Sequence, residues 1–169
     1  VPVYDSSIYP AMGNSQKIKV LFIDESRGCP NKCNFCVHAI KSGRKWRLTA
    51  ADNLVTKIEQ LKNRYGIKTF RFTGSNPPPR LMKETARTLI NRNTGITYSA
   101  FSYSRGMAKE DYQLLKQSGC CALSFGVESG SQKLLNEIIN KPVSREKIKQ
   151  SILDCKEAGI KTITSFIIP

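Results

Sequence analysis

The sequence predicts an α/β fold, a partial TIM-like (β/α) barrel with parallel strands that is truncated after the fifth strand. Two observations carry this prediction. Short apolar runs suited to buried strands alternate with helical patterns of about 10–15 residues, which is the arrangement of βαβ units. One unit is also reused, because residues 65–70 and 158–163 both run from a helix end through a glycine into a strand. Right-handed crossovers between such units curl a parallel sheet towards a barrel.

The first predicted elements lie around the start of this pattern. Residues 1–16 lack periodicity and are interpreted as a linker or N-terminal arm, followed by a core at 17–169. Residues 18–23 predict the first strand. Thr49 with Asp52 three residues later is typical of a capping box, so a helix is expected to start there. Its apolar stripe steps by four, three and four through Leu54, Ile58, Leu61 and Tyr65.

The remaining elements alternate in the same way. Further strands are predicted at residues 67–72, 96–101, 121–127 and 162–168. Further helices are predicted at 80–93, 109–118, 131–139 and 144–158, with a break at Pro142. The helix at 80–93 is expected to turn inward Leu81, Met82, Ala86, Leu89 and Ile90. In barrels of this kind the chemistry gathers on loops after the strands.

Four loops are therefore expected to face one rim. A cysteine-rich loop follows the first strand, Gly74 follows the second, Arg105 the third and Glu128 the fourth. Because parallel strands place their carboxyl ends at the same edge, these residues should lie near one another.

The composition describes one packed domain. The chain has 169 residues, 40% of them hydrophobic. The sequence holds no apolar run of about 18 residues that would cross a membrane, and Val1 to Ser15 do not resemble a secretion signal. Six cysteines, three of them within eight residues, favour metal ligation in a reducing compartment over disulfides. We therefore expect a cytoplasmic protein.

The net charge of +14 comes from 27 Lys and Arg against 13 Asp and Glu. This excess indicates contact with RNA, DNA or a phosphorylated substrate, or a solvated surface balanced by acidic parts of a longer chain. Basic residues interleave with Trp46 at Lys41, Arg44, Lys45 and Arg47. That pattern is typical of nucleic-acid contact, although a solvated loop anchored by one Trp is the favoured reading.

Cys29, Cys33 and Cys36 form the most informative motif. Thiolates at spacings of four and three residues converge only on a small group, and soft thiolates select iron–sulfur clusters, zinc or copper(I). Three cysteines on a 4Fe–4S cluster leave one iron open to a small chelating molecule. Structural zinc would need a fourth ligand, for which His38 is a candidate at unusually tight spacing.

A plain electron-transfer ferredoxin is a further alternative. It would need a fourth cysteine close to the other three. Cys120 and Cys121 are expected at the start of a strand, at the opposite end from the rim, and Cys155 lies on the apolar stripe of a helix.

The run from Arg27 to Cys36 resembles the radical S-adenosylmethionine (SAM) superfamily, with its Cys-x-x-x-Cys-x-x-Cys motif and an aromatic before the last cysteine. The resemblance covers about residues 16–169, because Arg47 and the run Gly126-Val127-Glu128-Ser129-Gly130-Ser131, with Leu135 and Lys141, also look like this core. The nearest subgroups are the enzymes carried beside a cobalamin-binding domain and the methylthiotransferases.

The resemblance implies an enzyme whose 4Fe–4S cluster, held by Cys29, Cys33 and Cys36, reductively cleaves SAM to a 5′-deoxyadenosyl radical acting on an unknown substrate. The implied cofactors are the 4Fe–4S cluster and SAM, with cobalamin supplied through a domain outside this chain. The implied partners are the substrate and a reductant such as flavodoxin or ferredoxin, with nucleic acid an open alternative and no membrane. The competing hypothesis is a zinc-stabilised nucleic-acid-binding module without catalysis.

The resemblance also implies five SAM contacts. Phe35 would lie against the adenine, Gly74 at the methionine ammonium, Arg105 beside the carboxylate and Glu128 near the ribose hydroxyls or the amino group. The loop reads Thr-Gly-Ser-Asn where the family often has Gly-Gly-Glu, so the ammonium contact would come from Ser75, its neighbour Asn76 or backbone carbonyls. The plainer alternatives are a packing Phe, a turn glycine, a rim arginine and an acid stabilised by a helix dipole.

Overall fold

The computed structural model describes residues 20–168, so the predicted arm at 1–16 lies outside the described residues. The strands are β1 (Leu21–Ile23), β2 (Ser26–Arg27), β3 (Arg47–Leu48), β4 (Thr69–Phe72), β5 (Thr97–Phe101), β6 (Cys120–Glu128) and β7 (Lys161–Phe166). The helices are α1 (Val37–Lys41), α2 (Ala51–Tyr65), α3 (Pro79–Asn91), α4 (Lys109–Gln117) and α5 (Arg145–Glu157).

The main sheet has the order β1-β4-β5-β6-β7, and every neighbouring pair is parallel. Each step in this order is joined by a helical crossover, as the alternating pattern predicted. The predicted partial barrel of parallel strands is therefore confirmed, and the sheet does not close into a barrel within the described residues.

The helices cover the sheet through the apolar stripes that the sequence predicted. Leu54, Ile58 and Leu61 of α2 are fully buried or nearly so, and Phe70 and Tyr98 of the sheet lie in the same core. Helices α2, α3, α4 and α5 each contact the next in the series. This layer holds the strands in register, which fixes where their carboxyl ends meet.

Three details of the predicted elements are wrong. Ile90, expected inward on α3, is 39% exposed because it falls on the outer edge of the apolar stripe. The capping box at Thr49 is absent, since the N-cap is Ala50 and Thr49 instead donates its amide to the carbonyl of Glu25. The helix predicted at 131–139 is a short segment that contains a π-helical turn at Leu134–Ile138.

A small antiparallel pair was not predicted from the sequence. Ser26 of β2 pairs with Leu48 of β3, and Arg27 pairs with Arg47. Strands of two residues carry too little periodicity to be recognised in a sequence. The pair closes the cysteine-containing segment at its base, so that this segment stands as a loop on the rim above β1.

Candidate iron–sulfur and S-adenosylmethionine site

A cavity of about 330 Å³ opens at the carboxyl end of the sheet. Cys29, Cys33 and Cys36 line one side of it, and the ends of β5 and β6 line the other. Ser75 and Asn76, from the loop after β4, complete the wall between them. Loops after successive parallel strands therefore meet at one rim, as predicted for this topology.

Close backbone packing holds the start of the cysteine loop. Gly28 has a φ of +89°, and a Cβ at this position would lie 2.2 Å from the carbonyl oxygen of Lys45. Only glycine fits there, because the conformation and the space both exclude a side chain. The amide of Cys29 donates a hydrogen bond of 3.3 Å to Oγ of Ser42.

The middle of the loop is anchored to the segment after β6. The amide of Asn34 donates to the carbonyl of Ile139 at 2.9 Å, and its side chain donates to the carbonyl of Ile138 at 2.7 Å. The loop is thus tied to residues more than a hundred positions away in the sequence. These bonds fix the position of Cys33 beside the end of the sheet.

The three thiols share one electrostatic environment. Cys29 is buried, Cys33 and Cys36 are half-buried, and all three are free of disulfides. Partial burial raises the pKa of the Cys33 thiol; the Lys141 ammonium opposes this shift, and the thiols of Cys36 and Cys29 add to it. The Cys33 thiol is therefore near enough to the other two to be affected by their charge.

The donor set fits a 4Fe–4S cluster. Soft thiolates are the ligands that iron–sulfur clusters use, and Nδ2 of Asn76 already donates to Sγ of Cys29 at 3.3 Å, as donors around such sulfurs do. Within residues 20–168, no group of three His, Cys, Asp or Glu side chains is arranged to hold a single metal ion. The three thiols line one cavity, where together they could serve as ligands of one cluster.

Glu128 lies at the end of β6 and faces this cavity. Its φ of +66° is a left-handed conformation that non-glycine residues rarely adopt, and such strain concentrates at functional sites. Its Oε1 forms an ion pair of 3.3 Å with Nζ of Lys141, which also donates to the carbonyl of Gly126 at 2.6 Å. The pair is nearly buried, since the two side chains are only 11% and 10% exposed.

Gly74 lies behind the cavity wall rather than in its lining. Its amide donates to Oε2 of Glu25 at 2.9 Å, and a Cβ at position 74 would lie 2.3 Å from both Oε1 of Glu25 and Oγ of Ser26. Burial raises the pKa of the Glu25 carboxyl to about 7. This glutamate holds the loop after β4 from below.

Phe35 and Ser75 both line the cavity, as their predicted roles require. Phe35 is 54% exposed, so its ring is available to a ligand. Arg105 is exposed and does not line the cavity. Its charge nevertheless acts on Tyr103, which does line the cavity. The SAM contacts of Phe35, Gly74, Ser75, Arg105 and Glu128 stay predictions, and three of these residues line the cavity.

The alternative zinc ligand and the other cysteines lie elsewhere. Nδ1 of His38 is 3.2 Å from Oγ of Ser75, and His38 does not line the cavity of the three thiols. Burial raises the pKa of Cys120 and of Cys155, as expected for core thiols. Cys121 is half-buried at the amino end of β6, away from the rim.

Sequence reasoning missed several groups in and around this site, among them Tyr103 and Glu25. Tyr103 lines the cavity, and burial together with the nearby Cys33 raises the pKa of its hydroxyl to about 12. Glu25 supports Gly74 from within the core. Tyr103 belongs to no recognisable sequence motif. Glu25, four residues before the first cysteine, looks in the sequence like an ordinary surface acid, because only the fold shows that it is buried.

Known proteins resemble this chain over most of its length. An uncharacterized methyltransferase of Pyrococcus horikoshii is 28% identical over 145 residues, which is 85% of this chain and 31% of that protein. Cytidylyl-2-hydroxyethylphosphonate methyltransferase of Streptomyces wedmorensis is 29% identical over 147 residues, 85% of this chain and 27% of that protein. The chain thus spans about a third of the length of these curated relatives.

The fold also matches a solved structure. The radical S-adenosylmethionine methyltransferase TsrM of Kitasatospora setae, with cobalamin and a [4Fe–4S] cluster bound, superposes with a TM-score of 0.80 at 19% identity. The match covers 92% of this chain and 32% of that one.

No helix among the described residues combines the length and apolarity that crossing a bilayer requires.

The family model described as the radical SAM superfamily matches residues 25–169. The matched range includes the cysteine loop, the end of β6 and the whole parallel sheet apart from β1. The predicted enzyme class and the predicted cofactors, a 4Fe–4S cluster and SAM, agree with this family. This chain belongs to the radical SAM superfamily.

Proposed function

We propose that this chain is the core of a radical SAM enzyme in which Cys29, Cys33 and Cys36 hold a 4Fe–4S cluster. When bound, the cluster supplies the electron that cleaves SAM to a 5′-deoxyadenosyl radical. The observation that carries the proposal is the single cavity on which three thiols and the polar rim converge. Its volume of about 330 Å³ is within the range of small-molecule sites.

The chain's own residues would bind and orient SAM. Phe35, exposed on the cavity wall, offers an aromatic face to the adenine. Ser75 and Glu128 offer a hydroxyl and a carboxylate to the ammonium and the ribose hydroxyls. Lys141 forms a nearly buried ion pair with Glu128 at 3.3 Å and so holds the carboxylate in place at the cavity.

Two predicted contacts would act indirectly. Gly74 gives the loop after β4 its close approach to Glu25 and so places Ser75. Arg105 lies outside the lining and would attract the SAM carboxylate through its charge, beside Tyr103.

The net reaction that we propose is methyl transfer. The curated relatives above are named methyltransferases, and the solved relative is a methyltransferase with cobalamin bound. Cobalamin would be supplied by a domain outside residues 1–169, and the electron by a carrier protein. The clustered free thiols favour a reducing compartment, which we take to be the cytoplasm.

Anaerobic reconstitution of the full-length protein with iron and sulfide, followed by reduction with dithionite in the presence of SAM, tests this function. We expect 5′-deoxyadenosine in the parent protein and in Cys121→Ser, whose thiol lies away from the rim. We expect none in Cys36→Ala. Equal 5′-deoxyadenosine formation by Cys36→Ala and the parent protein would refute the proposal.

A further inference from the structure

We propose that an exposed face beside the cysteine loop docks an acidic electron-transfer protein. The α1 face, as we name it, consists of the exposed Val37, Ile40 and Lys41 of α1 together with the exposed Arg44, Lys45 and Arg47 of the segment that follows it. The inference rests on the proposed function, because a redox partner has a role here only if the cysteine loop holds a cluster. It adds the surface that this partner would recognise.

The α1 face is strongly cationic. All four of its basic side chains are exposed. Within residues 20–168, none of the four forms a salt bridge with a carboxylate. Uncompensated charges of one sign on one surface attract a partner of the opposite sign and accelerate its association. The complementary partner is therefore an acidic one.

Apolar side chains accompany these charges. Val37 is 50% exposed and Ile40 is 71% exposed. Together with Lys41 they occupy positions i, i+3 and i+4 of α1, so they share one side of the helix. Protein interfaces combine an apolar centre with a charged rim, whereas single-stranded nucleic acid is bound on aromatic stacking platforms. The aliphatic residues thus favour a protein over RNA or DNA.

The α1 face is built directly on the cysteine loop. Helix α1 begins at the residue after Cys36. The turn after it packs on the other end of the loop, because Ser42 accepts the amide hydrogen bond of Cys29 and the carbonyl of Lys45 closes over Gly28. A carrier on this face would therefore lie against the segment that continues from the three thiols.

Docking on the α1 face would leave the cavity free. Lys41, Arg44, Lys45 and Arg47 are all outside the cavity lining. Trp46 fixes the segment to the opposite loop, because its Nε1 donates to the carbonyl of Asn76 at 2.8 Å. One electron would leave the reduced carrier for the cluster, with no proton or bond transferred. SAM and the substrate would still enter from the open side.

Charge reversal on the full-length protein tests this docking. The test variant is Lys41→Glu, Arg44→Glu, Lys45→Glu, which leaves Arg47 and its hydrogen bond to Ser42 intact. The matched control, with the same change in net charge on exposed residues elsewhere, is Lys57→Glu, Lys133→Glu, Lys156→Glu. The probe is a fluorescently labelled acidic flavodoxin, followed by anisotropy at low and high salt.

We expect the dissociation constant for flavodoxin to rise about tenfold or more in the test variant at low salt, and to change little in the control. Cluster reduction by reduced flavodoxin should slow in parallel, while dithionite still yields 5′-deoxyadenosine. Equal flavodoxin binding by test variant and parent would overturn the inference while leaving the proposed function standing. Loss of binding to a labelled single-stranded RNA, with flavodoxin kinetics unchanged, would overturn it and assign the face to nucleic acid.

Discussion

Nδ2 of Asn76 donates a hydrogen bond of 3.3 Å to Sγ of Cys29, joining the loop after β4 to the first cysteine of the motif. Asn76 is only 8% exposed, and its own carbonyl accepts from Trp46. A buried amide so placed stabilises negative charge on the sulfur. The bond therefore links two loops that lie 47 residues apart in the sequence.

Asn76→Ala should make the cluster harder to reduce. The N–H···S bond stabilises the reduced, more negative state of the cluster. Its loss should therefore make the midpoint potential more negative by tens of millivolts. A change of about 59 mV corresponds to 1.4 kcal/mol for one electron. A redox titration followed by electron paramagnetic resonance measures it. Ser75→Ala serves as the control, because the hydroxyl of Ser75 is hydrogen-bonded to His38 and not to a cysteine sulfur. Identical potentials in Asn76→Ala and Ser75→Ala would contradict the role of this bond.

Gly74→Ala should destabilise the protein by about 2 kcal/mol, because the added Cβ overpacks the site. That Cβ would lie 2.3 Å from both Glu25 and Ser26, so the loop must move. The free energy of unfolding in urea measures the loss. Gly130→Ala is the matched control, since a Cβ there has nothing within 4 Å. Similar stabilities of the two variants would show that position 74 tolerates a side chain.

Glu25 should make stability depend on pH. Burial raises the pKa of this carboxyl from 4.5 to about 7, so the folded chain keeps a proton that the unfolded chain releases. The contribution of Glu25 to stability should therefore be greatest below pH 4.5 and should fall as the pH rises towards about 7, by roughly 3 kcal/mol in total.

Glu25→Gln removes this titration and should flatten that part of the curve. Unfolding free energies of the cluster-free protein at a series of pH values measure the slope. Glu137→Gln, at an exposed position, is the control. If Glu25→Gln retained the full slope, another group would be responsible.

Lys141→Met should lower the free energy of unfolding by about 3 kcal/mol, because it leaves the nearly buried Glu128 carboxylate without its cation. Glu128→Gln should affect stability less and should raise the dissociation constant for SAM about tenfold, through loss of a charged contact. Urea denaturation and calorimetry measure the two effects. Lys133→Met, on an exposed position, should match the parent protein in both. A stable Lys141→Met protein would show that Glu128 is neutralised by another group.

The sequence predicted those parts of the molecule that depend on local spacing. The apolar stripe of α2 follows from the spacing of its residues along the helix. The end of α2 follows from Gly66, whose left-handed φ of 66° suits a glycine. The three cysteines likewise stand close together in the chain. The parallel order of the strands then brought Glu128 to the same rim.

Features that depend on contacts between distant residues escaped prediction. Asn76 reaches Cys29, Glu25 reaches Gly74, and Lys141 folds back onto Gly126 and Glu128 only once the sheet has formed. Polar residues at such positions look in a sequence like ordinary loop residues. Their roles follow from burial and from the bonds that burial requires.

The content of iron and acid-labile sulfide after anaerobic reconstitution tests the central claim most directly. The parent protein and Cys121→Ala should each carry about four irons and four sulfides per chain, because Cys121 lies away from the cavity. Cys33→Ala should lose the cluster, because only two of the three thiols in the cavity wall remain as ligands. A Cys33→Ala protein that retained the full iron and sulfide content would contradict the account.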